Sequence, residues 1–169
     1  MHIDEITAGE HYVLFTDGSC SGNPGPGGYG AVLYRMDGET VITRPIEMSG
    51  NRSRTTNNQM ELLAAIKGLS QLEENDLPAI IHSDSRYVID GMTKWLSGWK
   101  RKGWKTADNK PVKNQELWRA LDGAAGGRQV EWRWVRGHSG HAGNERADTL
   151  AKAAVARSPH GSMHLVMPT

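Results

Sequence analysis

The stretch that decides the fold is Ala-Ile-Ile-His-Ser-Asp-Ser, at residues 79–85. Its apolar start and polar end predict a short buried strand that is followed directly by a turn. Apolar residues recur at helical spacing from Asn57 onward, and a second helix is predicted over residues 85–97. A strand between two helices is typical of a sheet with parallel neighbours and with helices packed on its faces.

The rest of the chain extends this pattern on both sides. Three strands are predicted before residue 79, over residues 12–16, 30–36 and 40–48. Glycines and prolines over residues 20–28 predict a loop, and Asp37-Gly38 is a hairpin signal. A helix, a strand and a helix are predicted later, over residues 114–125, 130–135 and 144–156. The order βββ-α-β-α-α-β-α predicts an α/β fold of three layers with one mixed sheet.

Length and composition are those of an ordinary globular protein, with 169 residues of which 37% are hydrophobic and 23% are charged. We expect a single domain over residues 1–156 and a loose tail over residues 157–169. No apolar run approaches the roughly 20 residues of a transmembrane helix, so we expect no membrane contact. The first ten residues lack the features of a secretory signal, and the single cysteine, Cys20, agrees with a reducing compartment. We therefore expect a cytoplasmic protein, monomeric by default.

One segment, residues 94–113, concentrates positive charge in a chain whose net charge is only +1. It holds seven lysines and arginines against one acid, and three tryptophans lie among them, Trp95, Trp99 and Trp104. Lysine and arginine neutralise phosphates and exposed tryptophan packs on sugars or bases, so the segment favours nucleic acid as a partner. The alternatives are a solvated surface for the charges and core packing for the tryptophans.

Two carboxylates, Asp17 and Asp84, share a sequence context, because each follows an apolar strand directly and precedes a turn. If those strands are parallel neighbours, the two residues lie about 4.8 Å apart, and two anions that close repel unless a cation lies between them. Glu61, one turn into a helix, and Asp148, early in the last helix, complete a set of four oxygen ligands suited to Mg²⁺ or Mn²⁺. From spacing alone this remains one of many quartets that 19 acids allow.

Four sequence motifs around these acids favour the metal site over a chance grouping. They are Thr-Asp-Gly-Ser-Cys-Ser-Gly-Asn-Pro-Gly-Pro-Gly-Gly at 16–28, Thr-Thr-Asn-Asn-Gln-Met-Glu-Leu at 55–62, Ser-Asp-Ser at 83–85 with Tyr87-Val88, and Gly-His-Ser-Gly-His at 137–141 with Asn-Glu-Arg-Ala-Asp at 144–148. In this order they resemble the type 1 ribonuclease H family, most closely its bacterial enzymes, over about residues 10–156.

The resemblance implies a five-stranded mixed sheet flanked by helices and an endonuclease that hydrolyses the RNA strand of RNA–DNA hybrids. It implies Mg²⁺, with Mn²⁺ as an alternative, ligated by Asp17, Glu61, Asp84 and Asp148, and two ions in the active site when substrate is bound. It also gives His138 a catalytic role, in moving protons or helping product leave, which suits a side chain that titrates near neutral pH.

The same resemblance implies a set of substrate-binding residues. Those placed against the minor groove of the hybrid are Cys20, Asn23, Asn57 and Asn58. Short amides there both donate to and accept from 2′-hydroxyls, which distinguishes RNA from DNA. Thr56 resembles a residue that holds a phosphate of the DNA strand. A small residue in a turn is an equally good interpretation of Cys20.

The basic segment resembles the family's basic protrusion, and its expected substrate contacts are Trp95, Trp99, Lys100, Arg101, Lys102 and Trp104. Trp118, Trp132 and Trp134 are assigned to the core or its margin. The chain departs from the family at Arg86 and Asp90, where glutamines are common, and this puts the substrate contacts there in doubt.

Two rival functions come from other classes. One is a non-catalytic module that binds hybrids or duplexes, and the presence of all four acids argues against it. The other is a nuclease of related fold that acts on DNA, such as an integrase or a junction resolvase. The Asn57-Asn58 pair and the basic protrusion favour RNA–DNA hybrids instead.

Overall fold

A single mixed sheet organises the chain in the computed structural model, which describes residues 3–137 and 141–157. Its strands are β1 (Glu10–Cys20), β2 (Gly25–Asp37), β3 (Thr40–Val41), β4 (Ile46–Thr55), β5 (Ala79–Ser83) and β6 (Val130–Trp134). β1 pairs antiparallel with β2 on one side and parallel with β5 on the other, and β5 pairs parallel with β6. β3 and β4 share the remaining edge of β2, so the sheet has five strand positions, as predicted.

Helices cover both faces of this sheet. They are α1 (Ile3–Ala8), α2 (Asn57–Leu69), α3 (Arg86–Asp90), α4 (Leu96–Arg101), α5 (Gln115–Ala125) and α6 (Ala142–Ala156). Alternate residues of β1 point to opposite faces. Leu14 packs in the larger core with side chains of α2 and α5, whereas Phe15 packs in a smaller cluster with Ala147 of α6. The three-layer α/β prediction is confirmed, and no helix in the described part of the chain is long and apolar enough to span a bilayer.

The edge of the sheet differs from the predicted hairpin. The third strand, predicted over residues 40–48, is two strands separated by residues 42–45, and its second part continues to Thr55. Pro45 lies in the break, and its ring nitrogen has no hydrogen to donate to a ladder, so the pairing with β2 is interrupted there. The predicted third strand is therefore replaced by a short strand and a long edge strand.

The helices also differ in their bounds. α1 was not predicted, because a six-residue helix carries too short an apolar pattern, although its Ile6 is buried. The helix predicted over residues 85–97 runs on to Arg101, with a π-helical turn over Gly91–Trp95 between α3 and α4. Of the predicted tail, only Arg157 is described. Its guanidinium donates to the Ser49 hydroxyl at 2.9 Å, and residues 158–169 lie outside the described part.

The glycine-rich stretch predicted as a loop is mostly strand, since only residues 21–24 separate β1 from β2. Its glycines instead allow α6 to lie directly against β2. A Cβ atom at Gly28 would lie 2.4 Å from the Ala151 carbonyl oxygen, and one at Gly30 would lie 2.3 Å from the Ala147 carbonyl oxygen. No side chain fits between these backbones, so α6 lies in contact with the sheet only because glycine occupies both positions.

We expect Gly30→Ala to reduce the free energy of unfolding by about 2–3 kcal/mol, because the new methyl group forces α6 away from β2. Chemical denaturation monitored by circular dichroism measures this loss. Gly123→Ala in α5 is the matched control, since a Cβ there meets nothing within 4 Å. It should leave stability unchanged or raise it by up to about 1 kcal/mol. Equal effects of the two substitutions would contradict the steric explanation.

Candidate active site

The parallel pair β1 and β5 brings two acids to one edge of the sheet. Thr16 is in register with Ser83, so Asp17 and Asp84 leave the ladder side by side at its carboxyl end. On the other side Asp17 is paired with Gly30 of β2. The predicted neighbour relation of the two strands is confirmed, and it places both carboxylates where ligands bind in open α/β sheets.

Glu61 reaches the same point from the first turns of α2. The helix begins with a capping box, in which the Thr56 hydroxyl accepts from the Gln59 N–H at 3.2 Å and the Gln59 side chain accepts from the Thr56 N–H. Gly18 allows the helix to approach β1, because a Cβ atom there would lie 2.6 Å from the Glu61 nitrogen. The cap therefore fixes where the helix begins, and the glycine fixes how deep Glu61 lies.

The three carboxylates Asp17, Glu61 and Asp84 offer oxygens that lie within 4.8 Å of one another. Burial and then the charge of Asp84 raise the pKa of Asp17 from 3.8 to about 8. Burial, followed by the charges of Asp17 and Asp84, raises the pKa of Glu61 well above its usual value. Glu61 Oε1 is enclosed and has no hydrogen-bond partner among the described residues. A divalent cation fits this cluster, because it supplies the missing partner and removes the repulsion.

Asp148 approaches the cluster from α6. It lines the same cleft as Asp17 and Asp84, and its proximity is one of the causes that raise the pKa of Asp17. Its carboxylate also forms an ion pair with Lys152 at 3.0 Å, one helical turn away. Asp148 is not one of the three acids grouped within 4.8 Å, so the fourth acid lies beside that group, in the same cleft.

The loop of residues 21–24 and the first turn of α2 gather the residues expected to read the substrate. Asn23 accepts from the Asn57 N–H at 3.0 Å, and both Asn57 and Asn58 are exposed at the start of the helix. The Cys20 thiol donates to the carbonyl oxygens of Thr55 and Gly25, at 3.4 and 3.5 Å, and so ties the loop to β4. Asn57 and Asn58 lie about one helical turn before Glu61 in α2.

Comparison with known proteins agrees with this geometry. A family model described as RNase H matches residues 9–156. Ribonuclease H from Mesorhizobium japonicum is 56% identical over 149 residues, which is 88% of this chain and 80% of that protein. Ribonuclease H from Rhizobium meliloti is 57% identical over 143 residues, covering 85% and 89% of the two chains. The chain belongs to the ribonuclease H family.

Solved structures share the ribonuclease H fold. LC9-RNase H1, described as a type 1 RNase H with the type 2 active-site motif, has a TM-score of 0.77 at 32% identity and covers 94% of this chain and 78% of its own. The N-terminal RNase H domain of a Mycobacterium tuberculosis protein has a TM-score of 0.65 at 31% identity and covers 86% and 94%. This ribonuclease H is thus a metal-dependent nuclease, and three of its acids are close enough to share one cation.

The basic protrusion of this ribonuclease H (residues 94–113) is anchored by its tryptophans. Trp104 is only 8% exposed and packs in the core, which was the alternative considered for the tryptophans, and its contact with substrate stays a prediction. Trp99 is half-buried between Trp104 and Trp118, and this was the alternative considered for it. Trp95 alone of the three is largely accessible, at 40% exposure. Trp104 is buried because the chain turns back after α4. The backbone N–H of Trp104 donates to the Trp99 carbonyl at 2.7 Å in this turn.

The cations of the protrusion differ in their freedom. Lys100 forms an ion pair with Asp122 of α5 at 3.1 Å. Arg101 and Lys102 are exposed, and neither has an ion-pair partner among the described residues.

Two histidines follow β6, and the structure describes only one of them. His138 lies outside the described residues, so its catalytic role stays a prediction. His141, expected to be a loop residue, forms the N-cap of α6, and its Nδ1 accepts from the Gly143 N–H at 3.3 Å.

Three residues around the cleft were not identified from the sequence. Arg136 and Asn144 line it beside Asp148, and both lie within or next to the motif that contains His138, which was the available signal. Trp134, assigned to the core or its margin, is 36% exposed, and its indole N–H donates to the Asp84 carbonyl oxygen at 3.1 Å. Alternation along β6 carried no information about that contact, because it depends on the turn after β5.

We expect Glu61→Gln to stabilise the ribonuclease H at pH 8 in the presence of chelator. The folded protein holds a proton on Glu61 more tightly than the unfolded chain does, so stability falls as pH rises above the ordinary value of 4.5. The amide removes this loss, and the melting temperature should rise by a few degrees at pH 8, about 1 kcal/mol or more, and by much less at pH 4.5. Glu74→Gln, at an exposed carboxylate, is the control that should show no such pH dependence. An equal gain at both pH values would refute the electrostatic cause.

Proposed function

We propose that Asp17, Glu61, Asp84 and Asp148 form the active site with which this ribonuclease H hydrolyses the RNA strand of RNA–DNA hybrids. The observation that carries the proposal is the meeting of three carboxylates within 4.8 Å at the ends of two parallel strands. Retention of the acids argues against a module that only binds nucleic acid, because buried like charges destabilise a fold that has no use for them.

Mg²⁺ is the cation we propose, with Mn²⁺ as a substitute, because all the available ligands are carboxylate oxygens. When bound, the metal lowers the pKa of a water molecule and neutralises charge on the leaving oxygen of the phosphodiester. Asp17 lies among the other three acids, all of which influence its pKa, so it would be a ligand of the bound cation. Glu61, Asp84 and Asp148 would supply the other ligand oxygens, and four carboxylates are enough to hold the two ions that we propose when substrate is bound.

The first turn of α2 supports the choice of an RNA–DNA hybrid over duplex DNA. Asn57 and Asn58 are exposed there, and Asn23 lies against the Asn57 N–H. Amide side chains both donate and accept hydrogen bonds, so they match the 2′-hydroxyls that only an RNA strand presents. LC11-RNase H1, which was solved in complex with an RNA/DNA hybrid, shares the fold at 22% identity and a TM-score of 0.61, covering 86% of this chain and 97% of its own.

The remaining contacts are proposed on charge and position. The Thr56 hydroxyl already caps α2, so a DNA phosphate would meet Thr56 at the positive end of the helix dipole. Trp95, Lys100, Arg101 and Lys102 are exposed on the basic protrusion, and they would meet phosphates and sugars away from the acids. His138 would move a proton at the leaving group or help product leave.

We expect Asp17→Asn to reduce the turnover number for hybrid cleavage at least about 1000-fold with little change in fold, because it removes a ligand charge at constant volume. Steady-state assays of labelled hybrid, duplex RNA and duplex DNA, with Mg²⁺ and with chelator, measure this. Asp76→Asn, at an exposed carboxylate, is the matched control and should behave as wild type. Wild-type rates in Asp17→Asn would refute the site, and cleavage of duplex DNA as well as hybrid would refute the substrate.

Neutralising the basic protrusion with Lys100→Ala, Arg101→Ala and Lys102→Ala together should raise KM more than it lowers kcat. These side chains lie on α4 and at its end, and their contacts with phosphates exist equally in the bound substrate and in the transition state. The loss should be largest at low salt and should shrink as ionic strength rises. A fall in kcat at constant KM would place the protrusion in the chemistry.

A further inference from the structure

Beside the acidic cluster, one indole side chain holds two features of the β5–α3 turn at once. The Trp134 N–H donates to the Asp84 carbonyl oxygen at 3.1 Å. The Arg86 guanidinium lies over the same indole, with its central carbon 3.8 Å from the ring centroid. Trp134 is the last residue of β6 and is in register with Ser83, so it lies directly alongside the turn that carries Asp84.

The guanidinium of Arg86 is held in place and is otherwise uncommitted. Arg86 is exposed, and its guanidinium forms neither an ion pair with a carboxylate nor a hydrogen bond with any of the described residues. Stacking on an indole fixes the plane of a guanidinium but leaves its N–H groups directed outward. An arginine that only stabilised the fold would more commonly pair with an acid, as Arg146 does with Glu47.

The position of Arg86 limits what it can meet. Only Ser85 separates it from Asp84, so the two Cα atoms are at most about 7 Å apart. Successive phosphates of one strand are only one nucleotide apart, a separation comparable with that between these two Cα atoms. With a phosphodiester at the acidic cluster, a neighbouring phosphate of the same strand therefore comes within the reach of an arginine side chain.

We propose that Arg86 binds a phosphate of the cleaved strand beside the scissile bond, and that Trp134 is the positioning residue that presents it. This inference rests on the proposed function. Trp134 restricts the guanidinium to one plane and also holds the Asp84 carbonyl. The same indole therefore positions both the proposed phosphate contact and the turn that carries the proposed metal ligand Asp84. A guanidinium forms paired hydrogen bonds with phosphate oxygens, and the contact is independent of base sequence.

The test compares Arg86→Gln, Arg86→Lys and the wild-type enzyme in hybrid cleavage at several salt concentrations. Arg86→Gln should raise KM about threefold to tenfold at low salt and reduce the slope of log KM against log salt by about 0.7–0.9, as loss of one phosphate contact predicts. Arg86→Lys should restore the slope, because it keeps the charge, while KM stays raised without the stacked fork. Arg133→Gln is the matched control, since it removes the same charge one residue from Trp134 on the opposite face of β6. It should change neither KM nor the slope.

The positioning role of Trp134 is tested by a double-mutant cycle. Trp134→Leu should raise KM in the wild-type background but have no further effect on KM in Arg86→Gln, since it acts through that guanidinium. Additive effects on KM would overturn the positioning role. Wild-type KM and salt slope in Arg86→Gln, or a changed preference for bases around the cut with an unchanged slope, would overturn the phosphate contact. All of these comparisons assume that the unmutated enzyme cleaves the hybrid. If the proposed function is wrong, the unmutated enzyme itself does not cleave the hybrid, so the two kinds of failure are distinguishable.

Discussion

The parallel pairing of β1 with β5 is the constraint on which the proposed site depends. It fixes Asp17 and Asp84 at adjacent strand ends, and no loop motion separates them without breaking the ladder from Tyr12 to Thr16. Loops can deliver ligands to such a site, but a sheet edge fixes the spacing between them. Glu61 and Asp148 then arrive from helices on opposite faces of the sheet, so all three layers meet at the acids.

This arrangement places mutually repelling, partly buried carboxylates at the meeting point of the three layers, which is electrostatically unfavourable. Burial and mutual repulsion raise the pKa values of Asp17 and Glu61, so in the absence of a cation the protein either binds protons there or loses stability. The cost is tolerable because the acids are held by well-packed elements. The glycines of β2 seat α6 directly on the sheet, and the capping box at Thr56 fixes the start of α2. A cation that relieves the repulsion would therefore act on an already formed site, with little rearrangement.

The sequence predicted those features that depend on local pattern. Strand-end placement identified Asp17 and Asp84, and apolar spacing with a polar cap identified α2. Glu61 and Asp148 were identified only through the motifs, because their neighbourhood is created by two helices that pack on different faces. The positions of Trp104 and Trp134 were not predictable from pattern. Trp104 is buried by a turn that reverses the chain after α4, and Trp134 contacts a backbone carbonyl in the turn after β5, 50 residues away in sequence. Such contacts depend on tertiary packing, which no local period records.

Substrate recognition and metal ligation are proposed to share one short helix start, and this has a mechanical consequence. The N–H of Asn57 is held by Asn23, the cap at Thr56 sets the helix phase, and Glu61 follows one turn later. A minor groove that displaces Asn57 would thus also displace Glu61, whereas a groove that fits leaves the acid in place. The basic protrusion is not connected to Glu61 in this way, because Trp99 and Lys100 join it to α5 instead. Discrimination between RNA and DNA would then be coupled to the chemistry through α2, and the protrusion would set affinity alone.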